Sequence, residues 1–190
     1  GLLRSQAACP FQGFARHRLQ AEALDQPTPG LGPVERGSIV HLALEKFWAQ
    51  CPDQAFLLTL DQNACTELIG SAVDRAIREM RGNRPLSLSK EYAVLERRRL
   101  MDLLAEWLDL ERRRSPFQVH SLEKRLDVSI GGLQLNVAAD RIDRLDNGKL
   151  VVIDYKTGRH TMSEWFQDRP VEPQVPLYSL FCPEPVAGVY

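Results

Sequence analysis

This chain has little of what usually singles out a specialised protein. Its four cysteines, Cys9, Cys51, Cys65 and Cys182, are scattered with no C-x2-C pair. That argues against a disulfide framework and for free thiols in a reducing compartment. No apolar run approaches the length of a membrane span or a secretory leader. Charge of one sign is also missing. The 24 Lys and Arg stand against 25 Asp and Glu, a net charge of −1, so nothing draws the whole molecule towards nucleic acid and any such contact must come from local patches. There is no internal repeat and no low-complexity tract. What is present is ordinary for a soluble globular protein, 44% hydrophobic and 26% charged over 190 residues, enough for one domain with a proper core. The chain starts at Gly1 without Met and stops at "PVAGVY", which reads as the opening of a strand. We therefore expect a single domain that is a C-terminal fragment of a larger protein.

The first 115 residues or so read as helical. "SQAACPFQGFARHRL" (Ser5 to Leu19) carries a short amphipathic helix, and "DQPTPGLGP" (Asp25 to Pro33) is loop. Apolar spacing predicts helices from Glu35 to about Gln50, from about Ala64 to Met80, and from about Ser89 to Arg114. The last of these directs Leu100, Leu103, Leu104, Trp107 and Leu108 inward. It also carries two triple-arginine clusters, Arg97–Arg99 and Arg112–Arg114, read first as solvated faces. From residue 116 the pattern changes. Three strands are expected, Phe117–Ile130, Leu133–Leu145 and Lys149–Lys156, joined by the hairpin signals "GG" and "DNG". "MSEWFQDRP" and "VEPQVPLYSLF" return to helical spacing. Helices, then antiparallel strands, then helix imply an α/β domain with a central sheet flanked by helices.

The chemistry lies in "LVVIDYKTG" (Leu150 to Gly158). A β-branched apolar run ends in Asp154 and Lys156, which are two apart and so share one face of an extended chain. The preceding strand carries Asp140 within "VAADRID", where an unpaired carboxylate is costly; Asp143 and Asp146 lie nearer the turn and are easier to leave in water. Two carboxylates on neighbouring strands repel unless a cation lies between them. Oxygen ligands with open water positions suit Mg²⁺ or Mn²⁺, and Lys156 is placed to stabilise developing negative charge or help deprotonate a water. On spacing alone, a structural charge network at a hairpin accounts for the same three residues equally well.

Taken together, the motifs resemble a known family. Asp140 followed by Asp154-Tyr155-Lys156 is similar to the signature of the PD-(D/E)XK nuclease superfamily. "AADRIDR" with "DYKTG" resembles the RecB-family branch, of RecB or AddB type. "ERGSIVHLALEKFW", "PQVPLYSL" and "SQAACPFQGF" resemble that branch's upstream histidine helix, its downstream Q-x3-Y helix and its opening C-P-F segment, in order, from Ser5 to Leu180.

The resemblance implies a restriction-endonuclease-like core, a mixed sheet with antiparallel hairpins, preceded by a helical subregion. It implies His41, Asp140 and Asp154 as metal ligands, with the backbone carbonyl of Tyr155 as a further one. It makes Asp140, Asp154 and Lys156 catalytic, with Gln174 and Tyr178 facing the active site to contact DNA or position Lys156. Glu45 is expected to hold the His41 ring or Arg36, and Arg36, Arg141 and Arg159 to support the site or bind DNA. Glu123 is a looser candidate, leaning towards the cluster from the first strand. The chain departs from many relatives in having "AA" where they have glycine before the motif aspartate. Cys182 lacks the late cysteine partners that an iron–sulfur cluster needs, so no such cluster is expected. The activity implied is a Mg²⁺- or Mn²⁺-dependent DNA nuclease, exonucleolytic, working with helicase machinery in recombination and double-strand-break repair in the bacterial cytoplasm, associated with the nucleoid. The alternative is a non-catalytic DNA-binding or scaffolding domain that retains the fold; hydrolysis of another phosphate ester is a weaker third reading.

Overall fold

A computed structural model describes residues 2–21, 30–83, 88–158 and 174–189. Two short helices, α1 (Leu2–Ala8) and α2 (Pro10–His17), are separated at Cys9, with Pro10 at the first position of α2, where its missing N–H costs nothing. They are followed by α3 (Pro33–Trp48), α4 (Gln54–Thr59), α5 (Gln62–Asn83) and α6 (Lys90–Glu111). Helix α3 starts on Pro33 with Glu35 accepting the Gly32 N–H at 2.9 Å. Helix α4 was not read from the sequence. It is a single capped turn and a half, opened by Asp53 accepting the Phe56 N–H at 2.7 Å.

The sheet follows: β1 (Phe117–Ile130), β2 (Leu133–Leu145), β3 (Leu150–Ile153) and, after α7 (Gln174–Phe181), β4 (Val186–Val189). The strands lie in the order β1-β2-β3-β4, the first two pairings antiparallel and β3–β4 parallel. The expected mixed sheet flanked by helices is thus the observed one. The "GG" hairpin is a two-residue loop between paired Ile130 and Leu133, and Gly131 and Gly132 both have positive φ, which that turn requires. Strand β3 stops at Ile153, earlier than the expected Lys156. The helix-like "MSEWFQDRP" lies outside the described residues.

Each face of the sheet has its own core. On one side α3, α5 and α6 pack together through Ile39, Phe47, Ile69, Val73, Leu100 and Leu104, joined by Phe117, Val151, Ile153 and Tyr155 from the sheet. On the other, α7 lays Tyr178 on Val137, Ala139, Ile142 and Val152. Leu103, expected inward, is 36% exposed; the buried stripe of α6 runs Glu96, Leu100, Leu104, Leu108 and Glu111. Among the described residues no helix is long and apolar enough to cross a membrane.

The long β1–β2 hairpin exchanges faces midway. Leu122 packs on the helical side and Leu126 on the α7 side, although an even spacing should keep them together. On β2, Arg141 stacks on Trp48 of α3, while Ala139 and Val137 face α7. Pairing runs Leu122↔Arg141 and then Lys124↔Ala139, skipping Glu123 and Asp140, and Glu123 has φ +49°. The exchange therefore occurs where the candidate aspartate lies.

Below it is a buried ionic network. Arg141 and Asp143 are both 0% exposed, which corrects the reading of Asp143 as a residue left in water. Arg141 Nη2 donates to Glu111 Oε2 at 2.9 Å and to Asp143 Oδ2 at 2.8 Å, and Arg114 bridges the same two acids at 2.6 and 2.9 Å. The guanidinium of Arg141 lies 4.0 Å from the Trp48 ring centroid and 5.1 Å from that of Phe117. Burial raises the Asp143 carboxyl above its usual range, while Arg141 and Arg114 pull it down. Removing a single partner from such a group typically costs about 3–5 kcal/mol.

Candidate active site

The site forms where β3 ends. Beyond Ile153 the chain leaves the ladder, and Asp154 and Lys156 lie on the same side of it, with Lys156 Nζ 2.7 Å from Asp154 Oδ2. The Asp154 side chain is nearly buried. Burial raises its carboxyl above the usual range and Asp140 adds to the rise, while Lys156 pulls the other way. On the neighbouring strand Asp140 Oδ1 meets His41 Nδ1 of α3 at 3.2 Å, and Asp140 Oδ2 accepts the Tyr155 N–H at 2.6 Å. Burial opposes protonation of His41, but the bond to Asp140 and the charges of Asp140 and Asp154 overcome it, so the imidazole is raised above its ordinary value. From α7, Gln174 Nε2 donates to Ala138 O at 2.8 Å and to Asp154 Oδ1 at 3.3 Å.

Helix α3 reaches this point through Gly37. A Cβ there would lie 3.2 Å from Thr157 Oγ1, the residue after Lys156. A cleft of about 510 Å³ opens alongside, with one face of α3 from Val34 to Glu45 as its wall and Met80 and Glu123 opposite. The Glu123 carboxyl is pushed up by burial and by the charges of Asp140 and Glu45.

His41, Asp140, Asp154, Lys156 and Gln174 are thus brought together, with the backbone of Tyr155 among them. Other candidates are not. Tyr178, expected to face the site, is 3% exposed and lies in the α7 core. Arg141 cannot reach a DNA backbone, since it is wholly buried in the helical layer, stacked on Trp48. Arg36 Nη2 donates instead to Tyr92 Oη at 3.0 Å, and Glu45 meets Lys46 at 3.1 Å rather than His41 or Arg36. Arg159 lies outside the described residues. Within the arginine clusters, Arg97 pairs with Asp74, Arg99 with Glu96 and Arg112 with Asp109. Sequence reasoning missed the part of Glu111 and Trp107, which anchor the network behind Tyr155; the only signal was a glutamate on the buried stripe of α6.

The four charged groups stand as two touching pairs, His41 with Asp140 and Lys156 with Asp154. Among the described residues no three ligand-type side chains are gathered round one point. The donor types, an imidazole and two carboxylates on adjoining elements with Glu123 beside the same cleft, are those that suit a hard divalent ion.

Compared with known proteins, residues 3–185 match the sequence model of the PD-(D/E)XK nuclease superfamily. No curated protein matches the chain.

Proposed function

From the premise that this chain belongs to the PD-(D/E)XK nuclease superfamily, we propose that it is a metal-dependent DNA nuclease module of RecB type, cutting phosphodiester bonds exonucleolytically. We place it in the bacterial cytoplasm with helicase machinery, in recombination and double-strand-break repair. The observation that carries the nuclease reading is the meeting of the Asp154–Lys156 pair with Asp140 and His41 at one strand end.

His41, Asp140, Asp154 and the Tyr155 carbonyl are the groups that would hold Mg²⁺ or Mn²⁺. When bound, such an ion makes water a nucleophile near neutral pH and neutralises charge on the phosphoryl oxygens. The chain supplies the rest. Gln174 holds Asp154 Oδ1 and leaves Oδ2 towards Lys156. The ammonium of Lys156 orients the attacking water and compensates charge on the phosphate. The Tyr155 N–H fixes the orientation of Asp140 by donating to its carboxylate. Near-neutral net charge suits a module to which DNA is delivered by a larger assembly.

The test is cleavage of linear single- and double-stranded DNA in Mg²⁺ or Mn²⁺, beside Asp154→Ala and Lys156→Ala. We expect metal-dependent cutting that both substitutions reduce by at least about 10². No cutting above the two variants would sink the nuclease reading. The second reading is a fold that binds DNA without cutting it. DNA binding that persists in both variants with no cleavage by any would establish it.

A further inference from the structure

Tyr155 stands between the two motif residues, yet its side chain leaves the site. Its ring lies buried in the helical layer, edge-on to His41 at 6.0 Å and to Trp107 at 5.6 Å between centroids. Its hydroxyl accepts a hydrogen bond from Arg141 Nη1 at 3.0 Å. Arg141 has no room to move, being stacked on Trp48 and held by Glu111 and Asp143. Glu111 in turn is fixed at the end of α6, its Oε1 accepting the Trp107 indole N–H at 3.0 Å. A continuous path of buried contacts thus runs from α6 through Glu111 and Arg141 to the phenol of Tyr155. It ends at the Tyr155 N–H, 2.6 Å from Asp140 Oδ2.

Resting on the nuclease reading of the site, we infer that Arg141 and Tyr155 are positioning residues. Together they form a latch by which the helical layer sets the backbone between Asp154 and Lys156 and, through it, the Asp140 carboxylate. Packing alone would not need the hydroxyl, because phenylalanine fills the same space. The oxygen matters because it ties a turn beyond the end of β3, which has no ladder bonds of its own, to the most constrained side chain in the core. Arg141 suits this role through its rigid fork, which serves Tyr155 with one nitrogen and the two acids with the other.

The decisive variant is Tyr155→Phe, which removes one atom. Glu111→Gln perturbs the far end of the path without touching the site, and Ile69→Val, in α5, serves as a control that weakens the helical layer elsewhere. In EDTA, amide exchange at Tyr155 should quicken at least about tenfold in Tyr155→Phe while β1–β2 amides stay protected. The Mn²⁺ dissociation constant, read by paramagnetic resonance of the folded protein, should rise about tenfold, with Glu111→Gln moving both readouts the same way by less. If Tyr155→Phe and Glu111→Gln only lower the melting temperature, as Ile69→Val does, and leave both readouts unmoved, the latch is refuted. Should the wild type bind no Mn²⁺, the metal reading fails by itself and the metal-free exchange rates decide the latch.

Discussion

Gly37 offers a way to separate stability from catalysis with one methyl group. It sits inside α3, where replacing glycine by alanine contributes about 1 kcal/mol through helix propensity. Against this, the new Cβ would stand 3.2 Å from Thr157 Oγ1, closer than such contacts normally come, so Thr157 has to yield by a few tenths of an ångström. That push costs a similar amount, and we expect Gly37→Ala to change the unfolding free energy by no more than about 1 kcal/mol. The functional effect should remain where the two stability contributions offset one another. Thr157 adjoins Lys156, and since a 1 Å misplacement of catalytic groups costs about 10²-fold, a shift of about 0.3 Å should cost roughly fourfold in kcat/KM. Thr157→Ala removes the opposing oxygen, so Gly37→Ala/Thr157→Ala should recover the loss relative to Thr157→Ala alone, a non-additive pair. Urea unfolding and cleavage kinetics at saturating Mn²⁺ measure both quantities. A Gly37→Ala variant about 1 kcal/mol more stable with undiminished cleavage would refute the close approach of α3 to the turn.

Three further outcomes follow from the same contacts. Burial pushes the Cys51 thiol up to about 12, and Cys65 is buried too while Cys9 is exposed; at pH 8 a disulfide reagent should label Cys9 and then Cys182, reaching Cys51 and Cys65 only in denaturant. Because His41 is raised in the folded state, its stabilising contribution is complete below about pH 6.5 and disappears as pH rises through the raised value. In EDTA the difference in melting temperature between wild type and His41→Ala should therefore be widest below about pH 6.5 and narrow as pH rises through the raised value, while Mn²⁺ affinity, which needs the unprotonated ring, strengthens over the same interval. At Glu123, where φ is +49°, Glu123→Gly should raise the unfolding free energy by about 0.5–1 kcal/mol in urea melts, because only glycine takes that conformation without strain; a less stable variant would contradict the strain.

The sequence carried the order of the elements well, because periodicity changes sharply from helical to alternating near residue 116 and glycine marks both hairpins. It also singled out His41, Asp140, Asp154 and Lys156, which stand in two touching pairs at one strand end. What it did not carry was which way side chains face. Its place near the turn makes Asp143 read as easier to leave in water, and the resemblance makes Arg141 a supporting or DNA-binding residue; "DRIDR" puts charged pairs on both sides of Ile142 and has no alternation that would correct either. Helices cover both faces of this sheet, and alternation then says nothing about exposure. Gln174 and Tyr178 share a helix face by spacing, yet α7 ends on the sheet so that the first reaches Asp154 and the second is swallowed by the core.

Behind these misreadings lies one structural event. A regular β1–β2 hairpin would have kept Leu122 with Leu126 and Arg141 with Ala139, placing Arg141 against α7, away from Trp48, Glu111 and Tyr155. The irregularity at Glu123 and Asp140 turns the outer half of the hairpin over. Arg141 is then directed into the helical layer, while Asp140, at the crossing point, meets His41 of α3 and the Tyr155 N–H together. Two consecutive charged residues on one strand thereby both meet the helical layer, Asp140 in the candidate site and Arg141 bracing it from behind. A kink that costs about 1–3 kcal/mol in backbone strain persists because the buried network it creates costs more to break.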